Sequence, residues 1–411
     1  MNETPKTCVV VDPSLGPGSS LVPELIRRGI RVIAVFTPVY RPSKVDAGDL
    51  PITIVFLEPA RLDVLIEQLK SESVAAVLIG HESAVVWSAE LACRLNLPGH
   101  SRGLASARID KFEMNDVVKR FGLATLPFIR TDDSEVAVNW RRSELDRHPV
   151  VTKPLRGSLG IGVRICNSDD EIRQSIDSAK QSGRSRLVQK QGHGPIFEVG
   201  TVSCDGQHEI VLVMESVKSG PIFDSLRIIH ESELEQVRLQ CEYAFKVLEA
   251  LEIKNGAAFV EVMMLNKQTP VMIECNARLI GGMHDPFSNA ALGTSQVARF
   301  VDAMTDPVGF RNDYRSIRGG HAHARIVPLR SNVEGEIQQS PDPFFAQINS
   351  LDSCFHVRNK LETGRWLKKT FDAGTQPGHA FLIHEDSAIV EHDHQLIREW
   401  EQDAYVRMLS E

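Results

Sequence analysis

Two apolar stretches, AAFVEVMML (257–265) and PVMIECNAR (270–278), constrain the fold more than any other part of the chain. They are separated only by the polar run Asn266-Lys267-Gln268-Thr269, which is the pattern of an antiparallel hairpin. A loop centred on Lys267-Gln268 sets Glu261 directly opposite Glu274. Strand side chains alternate between faces, so Glu274, Asn276 and Arg278 are expected to project to one side with Met272, and Ile273, Cys275 and Ala277 to the other. Cβ atoms of opposed residues lie roughly 5 Å apart, where two like charges destabilise the pair. A positive group is therefore expected between the acids. Carboxylate and amide oxygens are hard ligands that suit Mg²⁺, which bridges protein carboxylates to nucleotide phosphates. From this segment alone, a solvated face whose acids never meet is the other reading.

At 411 residues the chain is long enough for two or three domains with a sizeable core. A net charge of -8 without any cluster of Lys and Arg speaks against a nucleic-acid partner, and the four scattered tryptophans form no stacking platform. The seven cysteines are odd in number, far apart and never CxxC, which argues against a disulfide framework or zinc site and for a reducing compartment. A polar start leading straight into CVVVD and the lack of a long apolar run favour a cytoplasmic chain with no membrane partner. His384, His392 and His394, set among Glu385, Asp386, Glu391 and Asp393, read as a solvated surface rather than a metal site.

The first hundred residues alternate strand and helix: TCVVVD, LVPELIRRG, RVIAVF, RLDVLIEQLKSE, VAAVLIG, VVWSAELACRLN. That order predicts an open parallel sheet covered by helices. Gly16-Pro17-Gly18 lacks the third glycine of a dinucleotide loop, with Leu21 in its place, and reads as a tight turn. Further on come a helix around RIDKFEMNDVVKRFG, the strand HPVVTKP, a glycine-rich stretch, and a helix opened by a Ser168/Glu171 capping box. The strands RLVQKQ and FEVGTVSCDG and a long amphipathic helix, SELEQVRLQCEYAFKVLEAL, then lead into the hairpin.

In VTKPLRGSLGIGVRI a lysine ends a strand and a loop with Gly157, Gly160 and Gly162 follows. Such a loop can fold its backbone N–H groups over phosphate oxygens, although it lacks the Gly-Lys-Ser/Thr ending of a Walker A loop. Taken in order, these elements resemble the ATP-grasp superfamily over about residues 100 to 300. The resemblance implies a multidomain α/β and α+β fold. Its parts would be an N-terminal parallel α/β domain (1–100), linker helices and a central lid (101–190), a C-terminal ATP-grasp subdomain (191–317) and a small α+β appendage (318–411).

The resemblance also implies a site. Lys111 and Lys153 match the two ATP lysines, and Gly157, Ser158 and Gly160 lie in the phosphate flap. Gln189, Lys190 and Gln191 occupy the adenine hinge, where many relatives carry Glu-Glu or Glu-Lys, and Gln189 can offer its amide to the ring. Glu198 matches the ribose acid, displaced by the extra Gly192-His193-Gly194-Pro195. Glu261, Glu274 and Asn276 match the ligands of two Mg²⁺ ions, with Mn²⁺ as a substitute, and Arg278 with Lys153 would support phosphoryl transfer.

GHESAVVWSAELACRLNLPGH, ECNARLIGGMH and GHAHARIVPLRSNVEGEI are similar to the amino-acid ligase branch of that family. In that branch Arg278, Gly281 and Gly282 would border the acceptor pocket, Glu82 and His284 would meet substrate amino groups, and Arg325 a carboxylate. Phe259 stands where many members carry a histidine, which implies a more apolar pocket. The implied reaction is ATP-dependent activation of a carboxylate as an acyl phosphate and its transfer to an amino acid's amine, by a homodimer. A purine-pathway ligase, a biotin-type carboxylase or a non-catalytic ATP-binding protein are the alternatives.

Overall fold

The computed structural model describes residues 6–13, 16–39, 52–157, 160–219, 222–283 and 285–409. The chain opens with β1 (Thr7–Val11), α1 (Leu21–Arg27), β2 (Arg31–Phe36), β3 (Ile52–Phe56), α2 (Leu62–Ser71), β4 (Val74–Ile79) and α3 (Val85–Arg94). The four strands form a parallel sheet in the order β3-β2-β1-β4, the architecture expected from the alternating pattern. β1 is buried on both faces: Val9 and Val11 enter one core cluster, Cys8 and Val10 the other. Gly16-Pro17-Gly18 opens a short 3-10 turn into α1.

A second, antiparallel sheet follows α4 (Lys111–Arg120). It comprises β5 (Phe128–Thr131), β6 (Val150–Pro154), β7 (Arg164–Cys166) and β8 (Arg186–Lys190), in the order β5-β8-β6-β7. Its core is closed by α5 (Ser134–Glu144) and α6 (Asp169–Lys180) through Ala137, Val138, Ile172 and Ile176 against Val150 and Val188. The capping box of Ser168 and Glu171 forms as the sequence predicts.

An eight-stranded antiparallel sheet dominates the remainder, in the order β13-β12-β9-β10-β11-β14-β18-β16. Its strands are β9 (Ile196–Cys204), β10 (Gln207–Ser219), β11 (Ile222–Ile228), β12 (Gly256–Met264), β13 (Pro270–Asn276), β14 (His323–Pro328), β16 (Cys354–Asn359) and β18 (Gly378–His384). A small pair, β15 (Gly335–Glu336) and β17 (Trp366–Leu367), stands apart. The helices are α7 (Arg238–Ala250), α8 (Asp285–Leu292), α9 (Gln296–Thr305), α10 (Pro307–Asn312), α11 (Asp342–Asn349) and α12 (Ser387–Leu409). The stretch before α7, Glu231–Val237, is 3-10 rather than the start of one long helix. The segment after Arg318 supplies β14, β16 and β18 and so continues the sheet that carries the acidic hairpin.

α7 covers one face of this sheet, with Cys241, Ala244, Val247 and Leu248 against Val260, Val262 and Cys275. α9 lies between the other face and the N-terminal sheet, where Phe300 and Val301 share a core with Val10, Leu78 and Phe259. Burying a side chain such as Phe300 contributes about 1.5–3 kcal/mol. Arg28 reinforces the contact by pairing with Asp302 and donating to the Ala298 carbonyl at 3.1 Å. This packing fixes the end of the N-terminal sheet over the hairpin. No helix among the described residues is long and apolar enough to cross a membrane.

α12 corrects the reading of the terminal histidines. Val390, Asp393, His394, Ile397, Glu401, Ala404, Tyr405 and Met408 recur every three or four residues and form its buried stripe. His394 is therefore buried, 3.4 Å from Arg325 and 3.6 Å from Asp224, whereas His392 is exposed.

Candidate active site

In the β12/β13 hairpin Glu261 pairs with Glu274 and Phe259 with Asn276, the register expected from the loop. One feature differs. The register shifts between Glu261 and Val262, because Val262 pairs with Met272 and Ile273 is an extra, bulged residue. Met272 therefore turns into the α7 core beside Cys275 and Ala277, and does not share the face of Glu274. A bulge puts Ile273 and Glu274 on the same side, which simple alternation cannot predict. β9 adds a third acid, since Glu198 pairs directly with Glu261. Three carboxylates thus stand in a row on adjacent strands.

Four cations meet this row. Lys111, buried at the start of α4, donates to Glu274 Oε1 at 2.9 Å and to the Gly157 carbonyl at 2.6 Å. Lys153, buried on β6, donates to Gln189 Oε1 at 3.1 Å. Lys218, on β10, lies 3.5 Å from Glu261 and 4.3 Å from the centre of the Phe223 ring. Arg278 stacks over Phe259 at 5.2 Å and faces Glu82 at 3.7 Å. Lys218 was not singled out by the sequence, since it belongs to no motif and reaches the site only because β10 runs on past Glu215.

Burial raises the pKa of Glu198, and the neighbouring Glu261 raises it further. Burial likewise raises Glu274, although Lys111 opposes the shift. Lys153 is pushed down by burial. For Lys218 burial works against the charge, but Glu261 and Glu198 outweigh it and the pKa is raised. The acids thus repel one another and the cations are only partly matched, a state that a polyanion with its own metal would relieve. Among the described residues, no three His, Cys, Asp or Glu side chains converge as a metal cage. Two opposed carboxylates with an adjacent amide oxygen fit an ion that keeps other oxygen ligands, which is the habit of Mg²⁺.

The flap glycines Gly157 and Gly160 are exposed and have φ of 120° and 73°, a backbone that glycine tolerates. Gln189 is buried and engaged at both ends, since its Nε2 also donates to Asn115 Oδ1 at 3.3 Å. Its amide is therefore not the free adenine donor the sequence suggested. The amides of Lys190 and Gln191 donate to the carbonyls of Pro127 and Pro149, both at 2.9 Å. Ser158 and His284 lie outside the described residues.

Beyond Arg278 the chain turns through the exposed Gly281 and Gly282. Glu82 Oε2 and Arg278 Nε are buried without a hydrogen-bond partner. Arg325, expected near this pocket, is elsewhere. Glu198 pairs with Met214, Met214 with Ile228 and Ile228 with Ala324, so Ala324 shares the face of the acid row and Arg325 points to the opposite one. There Arg325 bonds Glu391 at 2.6 Å and Ser225 at 2.9 Å.

Residues 117–285 match the family model described as D-ala D-ala ligase C-terminus. Dapdiamide A synthase of Enterobacter agglomerans is 26% identical over 97% of each chain. D-alanine–D-alanine ligase of Staphylococcus haemolyticus is 32% identical over 118 residues, 27% of this chain and 33% of its own. Among solved structures, L-amino acid ligase from Bacillus licheniformis superposes with a TM-score of 0.75 at 18% identity, covering 97% of this chain and 98% of its own. Carboxyaminoimidazole ribonucleotide synthase from Aspergillus clavatus, complexed with ATP, gives 0.71 at 15% identity, over 98% and 99%. The chain is similar to ATP-grasp enzymes over nearly its whole length, and these likenesses make it an ATP-dependent carboxylate–amine ligase.

Proposed function

We propose that this ligase joins a carboxylic acid to the amino group of an amino acid, making a dipeptide or dipeptide-like amide and releasing ADP and phosphate. The supporting observation is the meeting of two charge systems: the acid row with its lysines on one side, and the Glu82–Arg278 pair beside it. Lys111, Lys153 and Lys218 neutralise phosphate oxygens, and the glycine-rich flap that carries Gly157 and Gly160 closes over them. Phosphoryl transfer needs such positioning and charge neutralisation more than covalent help. Glu261, Glu274 and Asn276 would hold Mg²⁺, which when bound screens the charge shared by the terminal phosphates. Glu198 takes the ribose hydroxyls, and Gln189 sets Lys153 rather than the base. The adenine rests along Lys190 and Gln191.

Arg278 stabilises the acyl phosphate as it forms, held flat by the Phe259 ring beneath it. Glu82 offers its unpartnered oxygen to a substrate amino group, and Gly281-Gly282 leave room for the second substrate. The flap must shield the acyl phosphate from water until the amine attacks, expelling phosphate. The likeness to Dapdiamide A synthase and to the L-amino acid ligase of Bacillus licheniformis over nearly the whole chain supports this class. We place the enzyme in the cytoplasm, acting as a homodimer. A matrix of amino-acid pairs read by phosphate release and product mass tests the proposal. The expected result is ADP formation that needs both partners and yields an amide. ADP formation supported instead by bicarbonate or a ribosylamine phosphate would overturn it.

A further inference from the structure

Glu82 reaches Arg278 across 196 positions of sequence, and its backbone is carried by the 3-10 turn that follows β4 of the N-terminal sheet. The strand order β3-β2-β1-β4 reverses direction between β1 and β4, and the crevice outside the carboxyl ends of two such strands is where open α/β sheets bind ligands. Asp12 follows β1 there, and the 3-10 turn Glu82–Ala84 follows β4.

Asp12 is fully buried and has φ of 53°, a left-handed backbone that a non-glycine residue adopts only when its surroundings hold it. Its carboxylate accepts three hydrogen bonds: from the Thr37 amide at 2.8 Å, the Thr37 hydroxyl at 2.8 Å and the Ser83 hydroxyl at 2.5 Å. The same Ser83 oxygen lies 2.9 Å from His81 Nδ1, and that nitrogen accepts from the Ser83 amide at 3.3 Å. Ser83 is therefore tied directly to the Asp12 carboxylate, and His81 to the Ser83 amide. The backbone is equally confined, since a Cβ on Gly80 would stand 2.6 Å from the Asp12 carbonyl oxygen. The Gly80 amide also bonds the Val11 carbonyl at 2.8 Å.

We propose that Asp12 is a positioning residue of the substrate pocket: through Ser83 it fixes the turn that holds the Glu82 carboxylate against Arg278. The inference rests on the reading of Glu82 as a contact for a substrate amino group. It also assigns the N-terminal sheet a part in amine selection, separate from the ATP-binding lysines.

Steady-state kinetics of E82Q, S83A, S83T, D12N and the double variant E82Q/S83A test it, with S83A as the half-buried change that spares folding if D12N does not. S83A should raise KM for the amino acid whose KM E82Q raises, by about 5–20-fold, with KM for ATP changed less than about twofold. S83T, which keeps the hydroxyl, should behave as the parent. In the E82Q background S83A should have no further effect, because a positioning residue has nothing left to position. If E82Q leaves every amino-acid KM unchanged, the role of Glu82 fails and the proposal falls with it. If E82Q raises a KM but S83A and D12N do not, or if S83A adds its full effect to E82Q, the positioning role alone is overturned.

Discussion

Glu209 and Glu261 are glutamates on the same eight-stranded sheet, yet their surroundings are opposite. Glu209 is fully buried and accepts two bonds from Arg299, each 2.8 Å, and one from Arg318 at 2.7 Å. Glu261 instead stands between Glu198 and Glu274, with Lys218 at 3.5 Å as its one close cation among the described contacts. The first arrangement is saturated, and removing a partner would strand a buried charge. The second is under-neutralised before anything binds, and that imbalance is what a nucleotide and its metal would resolve. Burial of charge alone therefore does not mark a functional site; incomplete neutralisation does.

The comparison makes the two regions respond oppositely to substitution. E274Q should lower ADP formation by at least about 10³-fold while leaving thermal stability equal or higher, because it removes a repulsion along with a ligand. An active E274Q, or a strongly destabilised one, would break the contrast from the functional side. E209Q should do the reverse: denaturant unfolding should show a loss of about 3–5 kcal/mol, with kcat of the folded fraction nearly unchanged. A stable but inactive E209Q would mean that the saturated cluster also serves catalysis.

Glu198 sharpens the comparison through pH. Its pKa rises from 4.5 in the unfolded chain to about 8 in the folded one, chiefly from burial and then from Glu261. The folded state therefore binds the extra proton in that window. The stability this contributes is full below about pH 4.5 and is lost as pH rises towards 8. Ligand-free E198Q should accordingly gain stability relative to the parent as pH rises from 5 to 8, measured by calorimetry. The smallest effect is expected at Lys218, where K218M should reduce kcat/KM for ATP by about tenfold. An unchanged value would remove Lys218 from the phosphate site.

Much of this contrast was legible in the sequence because strand alternation and loop length fix which residues face each other. Glu261 opposite Glu274 followed from the length of one loop, and the parallel N-terminal sheet from its alternating runs. The bulge at Ile273 did not follow, since one extra residue leaves no mark on an apolar strand, and Met272 was assigned to the wrong face. Arg325 shows a related limit. Alternation tells that Arg325 and Ala324 differ in face, but only the register through β10 and β11 tells which of them faces the acids. Lys218 and Asp12 carry no motif, and their roles depend on strand ends meeting in space. β3 and α5 were missed for a simpler reason: β3 is only half buried, and α5 buries few apolar side chains.

Nucleotide titration calorimetry with and without Mg²⁺, on the parent and on an E261Q/E274Q variant, tests the central claim most directly. The acid row, if it is the metal floor of the ATP site, should make Mg²⁺ tighten ATP binding at least about tenfold in the parent and leave it unchanged in the variant. An equal Mg²⁺ enhancement in both proteins would contradict the account.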